Sequence, residues 1–286
     1  MISSYYSLMK IVKNKNVNRC NALFKYFSWQ LIKIFNLFPR EVNLSKSKII
    51  IPDKIIANEG GTKLYTQGMY DYNVMNLIKF CTGINKSNFF DIGANFGTYS
   101  VIASENEGTM SYAFEPHPYT FTLLKNNLNV NNRTNVFPYN LAVGDENSIV
   151  RFTNTPGSST NQVINNSNSD KSDFIEIESI RIIDFCKKNN LIPDIVKIDV
   201  EGFEAPVLKG FGEYLSKANV FVIEISEEKD FIVGTLNKAG FLGPLSFDFK
   251  SKTFTGFTEE SYEDSVFVSE TYMDLLKTKH NFTLKK

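Results

Sequence analysis

Histidine is nearly missing from this chain of 286 residues, with only His117 and His280 present. That scarcity argues against a histidine-built metal centre and against a Ser-His-Asp triad. Cysteine is also sparse: Cys20, Cys81 and Cys186 stand at no C-x-x-C or zinc-type spacing, and read as buried or neutral thiols in a reducing compartment. Net charge is lacking, since Lys plus Arg and Asp plus Glu number 31 each. Without an overall basic field, no nucleic-acid partner is expected. Long apolar runs are missing from the N-terminal region. Residues 1–19 show no signal-peptide core, and the more apolar Ala22–Phe38 is interrupted by Lys25 and Lys33. That stretch falls short of the ~20 apolar residues of a membrane span, so the expectation is a cytoplasmic protein. What the chain does have is 42% hydrophobic residues, enough for a sizeable core.

The order of segments predicts residues 1–60 as an N-terminal helical and strand extension and residues 61–286 as the main domain. Residues 20–38 read as a helix stopped by Pro39. Its apolar face is unusually broad. It is expected to pack on the main domain, or to meet a membrane surface peripherally or a partner. Lys48–Pro52 reads as a strand, Glu59-Gly60-Gly61-Thr62 as a turn and Asp71–Cys81 as a helix. Strands and helices then alternate. Strands are expected at Asn88–Asp91, Thr109–Glu115, Asn135–Asn140, Ile195–Asp199 and Val220–Ile225, with helices between them. This rhythm predicts an α/β fold, a mostly parallel sheet with helices on both faces, whose ligands gather where the strand order reverses. Thr153–Asp173, rich in Ser, Asn and Thr, reads as a loop, either a site cover or a plain excursion. The aromatic-polar alternation after Phe241 suggests antiparallel strands that complete the sheet.

Phe89-Phe90-Asp91-Ile92-Gly93-Ala94-Asn95-Phe96-Gly97-Thr98 is a strand, a glycine turn and a helix start, and Glu115 ends the next strand. A carboxylate there typically grips both hydroxyls of a ribose, so the ligand contains adenosine. Charge selects which one. Asp91 would repel a dinucleotide's pyrophosphate, two unit charges at ~4 Å costing about 4 kcal/mol at an effective dielectric of ~20. It suits S-adenosylmethionine, whose ammonium it attracts directly or through water. Read singly, Asp91 is a neighbour of a helix N-cap and Glu115 a solvated strand-end acid.

These residues resemble the FkbM family of methyltransferases. FFDIGANFGTYS (Phe89–Ser100) is similar to its cofactor turn and AFEPHP (Ala113–Pro118) to its ribose segment. YNLAVGDE (Tyr139–Glu146), VKIDVEGFEAPVLKGF (Val196–Phe211) and FVIEIS (Phe221–Ser226) follow in the family's order. The resemblance covers about Ser87–Ser226, and the K-I-D-V-E-G stretch is its most specific part. It implies a class I methyltransferase (Rossmann-like) fold with a seven-stranded sheet, S-adenosylmethionine as donor, and a hydroxyl oxygen as acceptor, often on a sugar. It carries Asp91, Gly93 and Asn95 over to the methionine-side pocket and Glu115 to the ribose. Asn140 and Leu141 fall at the adenine, where many methyltransferases place an acid.

The second motif is Lys197-Ile198-Asp199-Val200-Glu201-Gly202. Residues two apart on a strand share a face, so Lys197 and Asp199 lie together at the carboxyl edge, with Glu201 and Glu204 in the turn that follows. A carboxylate within hydrogen-bond reach of an acceptor hydroxyl takes its proton, and Asp199, then Glu201, are the catalytic candidates beside Lys197. The alternatives are a structural Lys197–Asp199 ion pair and acids that merely favour a helix N-terminus. No metal is expected. His117, between two prolines, reads as structural or solvent-facing, and Glu224 lines the acceptor pocket or is a buried paired acid. The expected function is methyl transfer to a hydroxyl of a sugar or glycan intermediate. The alternatives are O-methylation of a non-sugar metabolite and a non-catalytic adenosine-ligand binding protein of the same fold.

Overall fold

Strands that are apolar throughout, not alternately, need cover on both faces, and that requirement shapes this molecule. The computed structural model describes residues 18–156, 158, 160–164, 173–256 and 265–285, apart from the side chain of Glu59. β3 (Ser87–Ile92), β9 (Ile195–Ile198) and β10 (Val220–Ile223) lie at the centre of the sheet, with Phe89, Phe90, Val196, Ile198, Phe221 and Ile223 buried. β4 (Thr109–Phe114) and β5 (Val136–Tyr139) continue in parallel on one side. On the other side β13 (Ser265–Ser269) and β11 (Phe241–Asp248) are antiparallel. β12 (Thr253–Gly256) and β14 (Thr283–Lys285) extend that edge.

The strand order is β14-β12-β11-β13-β10-β9-β3-β4-β5. From β3 the chain runs outward through β4 and β5, then returns to β9 and runs the other way. The order therefore reverses between β3 and β9, and a crevice opens at their carboxyl ends. The sheet has nine strands where seven were expected, because the C-terminal tail adds β12 and β14 beyond β11. A separate three-stranded sheet joins β6 (Ala142–Val143), β7 (Ser148–Thr153) and β8 (Phe174–Ile180). The predicted loop Thr153–Asp173 lies between β7 and β8. Within it Val163 bridges to Phe152, while residues 157, 159 and 165–172 lie outside the described residues.

The N-terminal region shares the main core. Helix α1 (Arg19–Ile34) is capped by Asn18, whose Oδ1 accepts from Asn21 N at 3.1 Å. Its Trp29 is fully buried, stacks on Tyr65 at 4.3 Å and donates from Nε1 to Thr62 Oγ1 at 2.9 Å. Both partners belong to α2 (Thr62–Gln67). The predicted turn at Glu59–Thr62 is instead helical. Lys54–Ile56 and a wider winding over Ala57–Gly61 lead straight into α2. The hairpin of β1 (Arg40–Leu44) and β2 (Ser47–Ile51) lies beside α5 (Pro118–Val130). There Ile50 N donates to Asn127 Oδ1 and Lys48 N to Asn131 Oδ1, both at 2.8 Å. Leu44, Ile49 and Ile51 fall in the same buried cluster as Trp29, Phe89 and Phe96. On the opposite face of the sheet a second cluster includes Phe90, Ile198, Phe211 and Phe221.

Candidate active site

After β3 the backbone turns through three left-handed positions, Gly93 (φ 80°), Asn95 (φ 51°) and Gly97 (φ 91°), into α4 (Thr98–Ala103). The amides of Gly93 and Ala94 both donate to the Phe114 carbonyl, at 3.0 and 2.9 Å, which fastens the turn to the end of β4. A Cβ on Gly93 would lie 1.8 Å from the Asp199 carbonyl oxygen, so only glycine lets this turn meet the end of β9. The two sequence motifs are therefore in contact.

Glu115 is buried just past β4. Its Oε2 accepts from Asn95 N and its Oε1 from His117 N, each at 2.9 Å. Burial pushes this carboxyl up to about 7 against the pull of those two amides, and the charges of Asp91 and Asp199 push the same way. Further hydroxyl donors, such as the two of a ribose, stabilise a carboxylate so desolvated. Asn140 donates to the carbonyls of Glu115 and Pro116 at 2.9 and 2.7 Å, bracing this segment and leaving Oδ1 as its acceptor. Leu141 is half-buried against the second core. His117 caps α5, accepting at Nδ1 from Tyr119 N at 3.3 Å, as its structural reading expects.

Asp91 is 1% exposed and accepts a 2.6 Å bond from Ser100 Oγ. It sits beneath the turn, and burial pushes its carboxyl up while Lys197 opposes that. Of the two routes by which it could attract an ammonium, burial favours the indirect one. Lys197, paired with Asp91 in register on β9, holds its ammonium 2.7 Å from Asp199 Oδ2 and 4.5 Å from the centre of the Tyr99 ring. The Lys197 side chain is 3% exposed and that of Asp199 31% exposed, so Asp199 faces the crevice and Lys197 supports it from below. Burial raises the Asp199 carboxyl, but the Lys197 charge and hydrogen bond, with a hydrogen bond from Glu224, hold it below the usual carboxylate range.

The two glutamates after β9 separate in role. Glu204, at the start of α6 (Glu204–Phe211), is buried. It accepts from Gly202 N at 2.9 Å and from Ser226 Oγ at 3.0 Å, clamping the turn to the segment after β10. Glu201 is half-buried in left-handed backbone (φ 51°), and its carboxyl is pushed up by burial and by the charges of Asp199 and Glu204. Left-handed backbone at a non-glycine residue costs on the order of 1 kcal/mol and recurs at functional positions.

Asp71, Tyr70 and Lys63, which the sequence did not single out, flank these residues. Asp71 stands at the N-cap of α3 (Tyr72–Ile84) but makes no side-chain cap bond. Its Oδ2 accepts instead from Tyr99 Oη at 2.9 Å. Burial raises its carboxyl, against the charge of Lys63 and the Tyr99 bond. Tyr70 lies with its hydroxyl 3.3 Å from Thr98 Oγ1. Lys63 of α2 is exposed, 5.9 Å from the centre of the Tyr70 ring. An Asp directly before a helix reads in sequence as its cap, so no local signal separates Asp71 from an ordinary one.

The deep part of the crevice thus sets one ammonium, Lys197, among the carboxyls of Asp71, Asp91 and Asp199. An excess of carboxyls over ammonium groups beside the buried acid Glu115 fits S-adenosylmethionine, with its positive sulfur and ammonium and its ribose. It does not fit a pyrophosphate.

A hexuronic acid methyltransferase, AglP, of Haloferax volcanii is 30% identical over 139 residues, 48% of this chain and 54% of that protein. The chain thus spans about half the length of this curated relative. Among solved structures, the METTL16 MTase domain overlaps with a TM-score of 0.47 at 11% identity, covering 90% of this chain and 94% of that one. Precorrin-6y C5,15-methyltransferase from Geobacter metallireducens overlaps at 0.40 and 14% identity, covering 72% and 89%. Overlaps this loose say nothing about chemistry. The family described as "Methyltransferase FkbM domain" matches residues 91–250, which include Asp91, Glu115, Lys197, Asp199 and Glu201. S-adenosylmethionine is accordingly the cofactor, and with more than half of its length inside the match the chain belongs to the FkbM methyltransferase domain family.

Proposed function

We propose that the protein methylates a hydroxyl oxygen of a sugar or glycan intermediate. The observation that carries this reading is Asp199, 2.7 Å from Lys197 and 31% exposed, at the carboxyl end of β9 against the Gly93 turn, with Glu201 following it. When bound, S-adenosylmethionine supplies an electrophilic methyl group on a positively charged sulfur. Glu115 and the Gly93–Gly97 turn would hold it, with the negative charge of Asp71, Asp91 and Asp199 favouring its cationic end. Asp199, kept ionised by Lys197, accepts the hydrogen bond of the acceptor hydroxyl and orients it. Glu201, whose carboxyl binds protons more tightly, takes the proton. The resemblance to a hexuronic acid methyltransferase supports a sugar acceptor.

Label from methyl-labelled donor, incubated with neutral and uronic-acid-containing glycans, should enter a product that survives mild alkali, as a methyl ether does. Release of the label by mild alkali would mark a carboxylate ester and overturn hydroxyl transfer. Failure to label any glycan, with transfer to a non-sugar hydroxyl compound, would overturn the sugar.

The Glu115 carboxyl provides a donor-binding prediction. Its folded value of about 7 lies above its ordinary 4.5. The stability it contributes to the free protein is therefore full below 4.5 and is lost as pH rises through about 7. A ribose donates to the ionised form, so affinity for adenosylhomocysteine should rise with pH through about 7, with proton release on binding. Glu115→Gln should weaken binding by about tenfold or more and flatten that dependence. Calorimetry in buffers of different ionisation heat checks both, and a flat wild-type profile would remove Glu115 from the ribose.

A further inference from the structure

Helix α1 has two apolar faces, and only one is covered. Ala22, Tyr26 and Trp29 point inward and are buried. Phe24, Phe27, Leu31 and Ile34 recur at spacings of three and four, which places them on one stripe of the opposite side. They are 73%, 61%, 55% and 69% exposed, and Phe35 and Leu37 continue the stripe at 67% and 49%. Exposed large apolar side chains elsewhere among the described residues are scattered along the chain, whereas these fall within Phe24–Leu37. Such a concentration marks an interaction surface.

Charge identifies the occupant. Every ionised side chain in residues 1–40 is basic: Lys10, Lys13, Lys15, Arg19, Lys25, Lys33 and Arg40. The chain as a whole balances 31 against 31, so the remainder is acidic and the positive charge is concentrated at this end. Lys33 reaches Asn58 at 3.4 Å, where burial and the charge of Lys54 press on its ammonium. A second copy of the chain would bring like charges together if the stripes met face to face. The stripe itself is Phe, Leu and Ile, without the Tyr, Trp and Arg that enrich protein interfaces. A basic segment carrying a Phe- and Leu-rich helical stripe is the pattern of a helix lying in the plane of an anionic bilayer surface. Among the described residues no helix is long and apolar enough to cross a membrane.

We propose that α1 docks the protein on an anionic lipid surface, with Phe24, Phe27, Leu31, Ile34 and Phe35 in the headgroup layer and the positive charge of this end of the chain attracting the lipid phosphates. The inner face of the same helix remains anchored to α2 through Trp29, so docking requires no unfolding.

Sedimentation with vesicles tests this on the full chain. The protein should bind phosphatidylglycerol-containing vesicles, bind pure phosphatidylcholine vesicles about tenfold or more weakly, and dissociate as salt is raised. The double substitution Phe27→Glu and Leu31→Glu should lower partitioning by about tenfold or more. Its melting temperature and its calorimetric affinity for adenosylhomocysteine should match wild type, because both positions are already solvent-facing. Failure of the wild type to bind either vesicle would overturn the proposal, as would equal binding by the variant. A wild-type dimer that the double substitution dissociates, in protein that ignores vesicles, would assign the stripe to a second copy instead.

Discussion

Glu201→Gln is expected to reduce turnover by ~10²–10⁴-fold at neutral pH, the scale of a lost proton acceptor, with donor affinity and melting temperature unchanged. The amide keeps the size and polarity of the side chain but accepts no proton. Glu201 and Asp199 differ in environment, and the acid limb of the pH–rate profile distinguishes them. A proton acceptor works only when ionised, so activity falls as pH drops through its pKa. Glu201 is pushed up by burial and by neighbouring acids, which places its limb above the ordinary glutamate range. Asp199 is held down by Lys197, which would place its limb below the ordinary aspartate range. The wild type should therefore show the higher limb, and Glu201→Gln should lose it. Asp199→Asn should keep that limb and raise the KM for the acceptor, because it removes a hydrogen-bond partner of the hydroxyl. If Asp199→Asn abolishes the limb and Glu201→Gln retains it, Asp199 is the proton acceptor and Glu201 is structural.

The sequence marks Asp199 as the acid at the strand end but is silent on its acidity. Spacing puts Lys197 and Asp199 on one face. Whether the pair is a base with a helper or a neutralised ion pair depends on a 2.7 Å contact and on how each side chain meets solvent. The central strands were legible because β10 is apolar at every position, β9 at every position but Lys197, and β3 carries Phe89 and Phe90 side by side, one for each face of a covered sheet. The stretch Lys54–Gln67 was not legible. Two adjacent glycines read as a turn, yet Gly61 continues a helical path, where a Cβ would come 2.9 Å from the Ile56 carbonyl. With that stretch misread, Lys63 could not be brought to the site. Asp71 escaped for a related reason: its position is that of a cap, and only the tertiary placement of Tyr99 draws its carboxylate elsewhere.

Lys197→Met should lower stability and alter the preference between the two forms of the donor. Removing one member of a buried ion pair costs about 3–5 kcal/mol, and with Asp199 a third open to water the lower end applies. At roughly 2–4 °C per kcal/mol for a chain of this size, the melting temperature should drop by roughly 6–12 °C. Three carboxyls, Asp71, Asp91 and Asp199, then lose the ammonium that opposes their protonation, and each should titrate at higher pH than in the wild type. The deep crevice becomes more negative wherever those acids stay ionised. S-adenosylmethionine and adenosylhomocysteine share the ribose and the ammonium and differ in the charge on sulfur. The variant should therefore favour the methylated, positively charged form over the other by a larger ratio than the wild type does. Thermal shifts with the two ligands, measured on both proteins above the pH at which Asp199 ionises, report that ratio directly. A variant that melts with the wild type would show that the Lys197–Asp199 contact contributes no net stability. An unchanged ratio would show that the acids around Lys197 do not sense the sulfur, and that the negative charge of the crevice serves the acceptor alone.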